Sequence, residues 1–177
     1  MISYKGAHTA IEAARRVEGR LIMAGKLNEE AEHAYYAEAV EPYLSDRIYF
    51  RGEVDMETKV ELYRKARCTL FPIQWPEPFG LVMIESLAAG TPVIAFRRGS
   101  VPEVIEHGRT GFIVDDVDEM VEAIGHIGEI DPAECRRAAE ERFGVAAFVR
   151  AHERAYRSLL DEGPAWATGS LPGPLTA

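Results

Sequence analysis

The sequence predicts an α/β fold, a doubly wound, Rossmann-like parallel sheet with helices on both faces. Short apolar runs of strand length recur along the 177 residues, stretches of helical periodicity lie between them, and no two runs are joined by a hairpin turn. Continuous apolar strands suit a sheet buried on both faces, and the alternation is that of consecutive βα units. The length and the 47% apolar content suit one domain with one core. Its expected bounds are 1–162, with a separate tail at 163–177.

AHTAIEAARRVE (7–18) places Ala7, Ala10, Ile11, Ala14 and Val17 on one helical face, and Gly19 ends the helix. RLIMAG (20–25) follows as a strand. EEAEHAYYAEAVEPYL (29–44) is helical until Pro42 disturbs it, and RIYF (47–50) is the next strand. ETKVELYRKA (57–66) reads as a helix, CTLFPI (68–73) as a strand, GLVMIESLAA (80–89) as a helix stopped by Gly90, and TPVIAF (91–96) as a strand. VPEVIEH (101–107) predicts a short helix, GFIV (111–114) a strand, and another helix begins near Asp118. PAECRRAAEERF (132–143) and VAAFVRAHERAYRSLL (145–160) predict two more helices. The tail GPAWATGSLPGPLTA is rich in Gly and Pro and lacks periodicity, with Trp166 as its candidate anchor.

The net charge is −9 with the charges scattered, which argues against a nucleic-acid footprint or a polybasic membrane patch. Cys68 and Cys135 stand in unrelated contexts without a CxxC pairing, as reduced thiols do. No stretch approaches the ~18 apolar residues of a membrane span, and the N-terminal residues lack the succession of a signal peptide. The expectation is a soluble, cytoplasmic protein that binds no nucleic acid. The five histidines show no HExxH spacing, and His107 with Glu103, Glu106, Asp115 and Asp116 reads as acidic, solvated surface. No metal site and no cofactor are expected.

Open α/β sheets bind ligands beyond the carboxyl ends of their strands, which directs attention to the loops after Gly25, Phe50, Ile73 and Phe96. No GxG pair is present, and GRLIMAGKL is one residue too long for a Walker loop and has Leu27 after its lysine. WPEPFGLVMIE fits better. Pro76 and Pro78 favour extended backbone around Glu77, and Gly80 permits close approach to a ligand where a helix begins. The backbone N–H groups of Phe79, Gly80 and Leu81 then point out of the helix start, where a phosphate binds well. Glu77 cannot comfortably face that phosphate, so it reaches past it toward hydroxyls, unless it is merely a solvated loop carboxylate. Glu85 sits in LVMIESLAA, a stretch apolar enough to be buried almost all round as a helix. A lone carboxylate is costly there, and either both hydroxyls of a ribose or a salt bridge, to Arg97 or another neighbour, would answer it. Arg97 and Arg98 either supplement phosphate binding or line the rim of the cleft.

EPFGLVMIE, with seven residues between Glu77 and Glu85, followed by SLAAGTPVIAF, GSVPEVIEHGRTGFIV and the Asp118 helix, resembles the donor-binding domain of the retaining glycosyltransferases of family 4. The resemblance spans about residues 4–127 and implies the C-terminal half of a GT-B glycosyltransferase. It implies that Glu77 contacts the hydroxyls of a donor sugar, the amides of Phe79, Gly80 and Leu81 its diphosphate, and Glu85 its ribose. YKGAHTAIEAA resembles the block in which a lysine, here Lys5, neutralises the diphosphate. RIYFRGEVD resembles the segment bordering the base, with Gly52, Glu53 and Val54 as candidates for backbone contacts.

In the family, an arginine separated from that lysine by four residues follows a central strand, and an acceptor-binding domain precedes both. The sequence printed here starts one residue after that arginine position. The expectation is therefore a donor domain without its first strand and without its N-terminal acceptor domain: a fragment, half of a split enzyme, or a standalone module. The edges of RLIMA and CTLFPI would lack a partner, which invites a homo-oligomer. The implied partners are a nucleotide-diphosphate sugar and a sugar or lipid-linked acceptor, and the implied activity is that of a hexosyltransferase. A noncatalytic nucleotide-sugar-binding subunit or sensor and a sugar-nucleotide epimerase are the alternatives.

Overall fold

The computed structural model describes residues 2–162, and the expected tail with Trp166 lies outside them. The chain divides into two compact units between Ala139 and Glu140. The first unit is an alternation of strands and helices. It runs α1 (Ala7–Arg15), β1 (Leu21–Met23), α2 (Glu30–Ala39), β2 (Ile48–Phe50), α3 (Met56–Lys65), β3 (Thr69–Phe71), α4 (Leu81–Ala88), β4 (Val93–Phe96), α5 (Val101–Val104), β5 (Gly111–Val114) and α6 (Val117–His126). Helix α7 (Pro132–Phe143) crosses the boundary, and α8 (Val145–Glu162) belongs to the second unit.

All strand pairings among the described residues are parallel, as the continuous apolar runs predict. They form two sheets, β1–β2 and β3–β4–β5. Leu21 pairs with Ile48, Thr69 with Val93, and Val93 with Gly111. In a parallel ladder alternate residues turn their N–H and C=O to the same neighbour. Leu21 N–H donates to Arg47 O at 2.8 Å and Met23 O accepts from Arg51 at 2.9 Å, so the backbone groups of Ile22 face away from β2. Thr69 N–H donates to Pro92 O at 2.9 Å, so those of Leu70 face away from β4. Among the described residues neither of these edges, expected from the sequence to lack a partner, pairs with a further strand.

Several boundaries differ from expectation for local reasons. Helix α1 stops at Arg15, where Arg16 N–H bonds Ala13 O in a tightened last turn, and Val17 falls outside it. Pro42 disturbs the next helix as expected, with a 3-10 turn at Glu41–Tyr43 replacing its end. The helix expected over 101–107 ends at Val104 and Ile105 is extended. The Thr110 hydroxyl accepts Glu106 N–H at 3.0 Å and Thr110 N–H donates to Glu106 O at 2.9 Å. This turn takes the backbone groups that a longer helix would have used.

One core cluster joins Ile11 of α1 to Met23, Val40 and Ile48. Met83 and Leu87 of α4, with Val93, Ile94 and Ala95 of β4, are fully buried. Leu87→Ala is expected to destabilise the chain by about 2–5 kcal/mol, read from a lower denaturant midpoint at unchanged slope. Burial also pushes the thiols of Cys68 and Cys135 up to about 11. Since the thiolate is the reactive form, labelling at pH 8 should be ~10-fold or more slower in the folded chain than in urea.

Candidate functional site

The β3–α4 loop leaves the carboxyl end of its strand at the position the fold reserves for ligands. Gly80 has φ 73°, a left-handed conformation that favours glycine, and caps α4 with no side chain bonded to the helix start. Met83 N–H is the first to turn inward, to Gly80 O at 2.9 Å. The first turn of α4 therefore presents its amide dipoles outward. Phe79, Leu81 and Val82 are exposed around it, and Glu85 is half-buried. The helix is thus apolar but not buried all round, which corrects the expectation of a carboxylate sunk in a core.

Glu85 meets Lys59 and Tyr63 of α3. Its Oε1 lies 2.6 Å from Lys59 Nζ, and its Oε2 accepts from the Tyr63 hydroxyl at 3.2 Å. Thr91 donates its hydroxyl to Tyr63 O at 2.6 Å, tying α3 to the entry of β4 beside this pair. Burial first, and then the charge of Glu85, push the Tyr63 phenol well above the ordinary tyrosine range, so the hydroxyl stays a donor. Met56, Lys59, Val60, Tyr63, Glu85 and Ala88 line a groove of about 240 Å³ between α3 and α4. Arg97 is not the partner of Glu85: its Nε pairs with Asp115 at 3.0 Å. Val54 is half-buried at the head of α3, directly before Asp55, whose carboxylate caps the helix through Thr58 N–H at 2.8 Å.

Glu77 is held from two sides. The Trp75 indole N–H donates to its Oε2 at 3.0 Å, and its carbonyl accepts Ser100 N–H at 2.9 Å. The Trp75 ring packs against Tyr4 at 5.3 Å between centroids. Tyr4 lies in the 3-10 turn Ser3–Lys5, which Gly6 ends at φ 74°. A Cβ at Gly6 would collide with Pro72 O, and Gln74 N–H donates to Tyr4 O at 2.7 Å. The turn bearing Lys5 is thereby packed on the loop bearing Glu77, while Lys5 itself is exposed.

Gln74, Trp75, Lys59, Tyr63 and the Gly99–Ser100 turn escaped the sequence reading. Only the adjacency of Trp75 to Glu77 offered a local signal. Of the acidic surface around His107, Asp115 pairs with Arg97, Glu106 with Arg109 at 2.6 Å, and the His107 ring accepts Ile113 N–H at 3.1 Å. Among the described residues no three His, Cys, Asp or Glu side chains converge as a metal set, and no helix is long and apolar enough to cross a membrane.

The fold is that of one half of a GT-B glycosyltransferase. The chain superposes on the Anabaena protein HepE solved with UDP and glucose, at a TM-score of 0.77 and 23% identity, over 90% of this chain and 46% of that one. It superposes on sucrose-phosphate synthase from Thermosynechococcus elongatus at a TM-score of 0.75 and 31% identity, over 89% and 43%. The chain belongs to the family described as glycosyl transferases group 1, whose model matches residues 1–142. It is 35% identical over 111 residues to the D-inositol 3-phosphate glycosyltransferase of Mycolicibacterium smegmatis, covering 62% of this chain and 25% of that protein. The corresponding protein of Acidothermus cellulolyticus is 38% identical over 110 residues, covering 62% and 24%. The chain thus spans about a quarter of the length of these curated relatives.

Proposed function

We propose that this chain binds a nucleotide-diphosphate sugar and forms the donor half of a retaining, hexosyltransferase-type glycosyltransferase whose acceptor, a sugar or lipid-linked molecule, is held by a separate N-terminal domain. The observation that carries the reading is the uncapped start of α4 with Glu77 on the preceding loop and Glu85 one turn in. Amide dipoles suit a diphosphate, and the carboxylates on either side suit the hydroxyls that flank it in such a donor.

Each group then has a task. The bond from the anomeric carbon to the phosphate oxygen breaks, and its electron pair leaves with the diphosphate. The amides of Phe79, Gly80 and Leu81, together with Lys5, stabilise that growing negative charge. Glu77 accepts hydrogen bonds from the sugar and holds it in reacting geometry. Glu85 accepts the ribose hydroxyls while Lys59 and Tyr63 orient it, and backbone groups near Val54 border the base. No side chain here is assigned as a covalent nucleophile.

HepE, whose fold this chain shares, is solved with UDP and with UDP-glucose, which makes these the first ligands to try. Calorimetric titration of the chain with UDP, GDP, ADP and their common sugar conjugates is expected to give saturable binding with a preference for one base. A well-folded chain that binds none of them would overturn the reading.

A further inference from the structure

The turn between β4 and α5 has no part in the mechanism above, yet it is pressed against the loop that bears Glu77. Gly99 has φ 51°, and a Cβ there would collide with the carbonyl oxygen and amide nitrogen of Glu77 and lie 2.8 Å from the carbonyl carbon of Pro76. Backbone atoms cannot swing aside as a flexible side chain can, so any residue but glycine displaces the loop. The next residue adds a directed contact, Ser100 N–H to Glu77 O at 2.9 Å. Among the described residues the buried Ser100 Oγ beside it has no hydrogen-bond partner. On the opposite side Trp75 fixes the carboxylate itself, with Tyr4 supporting the indole ring.

We propose that Gly99 and Trp75 are positioning residues for Glu77, Gly99 setting its backbone and Trp75 its carboxylate, and that together they govern recognition of the sugar rather than of the nucleoside diphosphate. The inference rests on the donor-binding reading. Its selectivity follows from where the groups are anchored. The start of α4 and Glu85 ride on a helix fixed by buried Met83 and Leu87, and Glu85 is tied to Lys59 and Tyr63. Glu77 lies before Gly80, on a loop whose place is set by the turn across from it. Displacing that loop shifts Glu77, which Gly99 and Ser100 touch directly, more than the Phe79 amide or the Lys5 turn, and leaves the Leu81 amide and Glu85 on α4 where they are. Trp75 acts similarly at shorter range: it occupies one carboxylate oxygen and so orients the other toward a hydroxyl.

The test compares wild type, Gly99→Ala and Trp75→Phe, each titrated calorimetrically with UDP and with UDP-glucose. UDP affinity is expected to stay within about twofold in all three. UDP-glucose binding should weaken ~10-fold in both variants, the size of one lost hydrogen bond to a charged group. Parallel losses for both ligands, or no loss for either, would overturn the proposal. Trp75→Phe keeps the ring on Tyr4 and removes only the N–H, so it decides the matter if Gly99→Ala fails to fold.

A ligand-free readout separates this inference from the donor reading. In 15N–1H spectra the Trp75 indole cross-peak should move both in Glu77→Gln, which alters its acceptor, and in Gly99→Ala. An unmoved peak would show that Gly99 does not position Glu77. If the wild-type chain binds none of UDP, GDP, ADP and their sugar conjugates, the claim about sugar recognition falls with the donor reading, and the indole shift alone still reports whether Gly99 sets Glu77.

Discussion

Glu77→Ala is expected to lower donor turnover by about 10²-fold or more in the enzyme completed by its other half, scored as UDP released from UDP-glucose. Loss of one positioned contact at a reacting centre commonly has that size. Folding should be nearly untouched. Glu77 is half-buried on a loop, and Trp75, whose N–H loses its acceptor, is itself exposed to solvent. The thermal midpoint should therefore stay within roughly 2–4 °C, the shift that 1 kcal/mol produces in a chain of this size. Unchanged turnover in the alanine variant would remove Glu77 from the sugar site.

Glu85→Ala is expected to weaken nucleoside diphosphate binding about 10- to 100-fold, since two hydroxyl contacts to a charged acceptor would go at once. Its effect on stability should again be small. The Lys59 and Glu85 side chains are 32% and 33% exposed, and an ion pair so open to water contributes ~1 kcal/mol or less. Tyr63→Phe is the control: it removes one support of the carboxylate and leaves the acceptor, so its loss in affinity should be the smaller. Should Tyr63→Phe weaken binding as much as Glu85→Ala, the role assigned to the ribose contact belongs instead to the phenol.

The strands were legible as short, largely apolar runs, LIM, IYF, TLF, VIAF and GFIV, although only β4 and β5 are buried at three of their four positions and Ile22 of β1 is exposed. Helix ends were less so. VPEVIEH has helical composition, but the Thr110 hydroxyl competes for Glu106 N–H, and that residue lies beyond the segment being read. The site divides the same way. Pro76, Glu77, Pro78 and Gly80 announce a shaped loop before a helix through their own backbone preferences. What grips that loop comes from far along the chain: Ser100 is 23 positions from Glu77, and Lys59 is 26 from Glu85. At Glu85 apolar composition does not mean burial, since Leu81 and Val82 on the same helix face solvent at 63% and 39% exposure.

The two strand edges that no further described strand covers govern how the chain trades hydrogen with water. Ile22 and Leu70 direct their amides away from β2 and β4, whereas Ile94 sits in a strand paired on both sides. In deuterated buffer the first two amides should exchange through small local openings, and Ile94 only through the larger unfolding of its sheet. A strand laid against either edge would slow the amide on that edge and leave Ile94 as it was. Ile22 and Leu70 therefore act as a pair of clocks, one on each edge, whose rates tell whether β1 and β3 have found further partners.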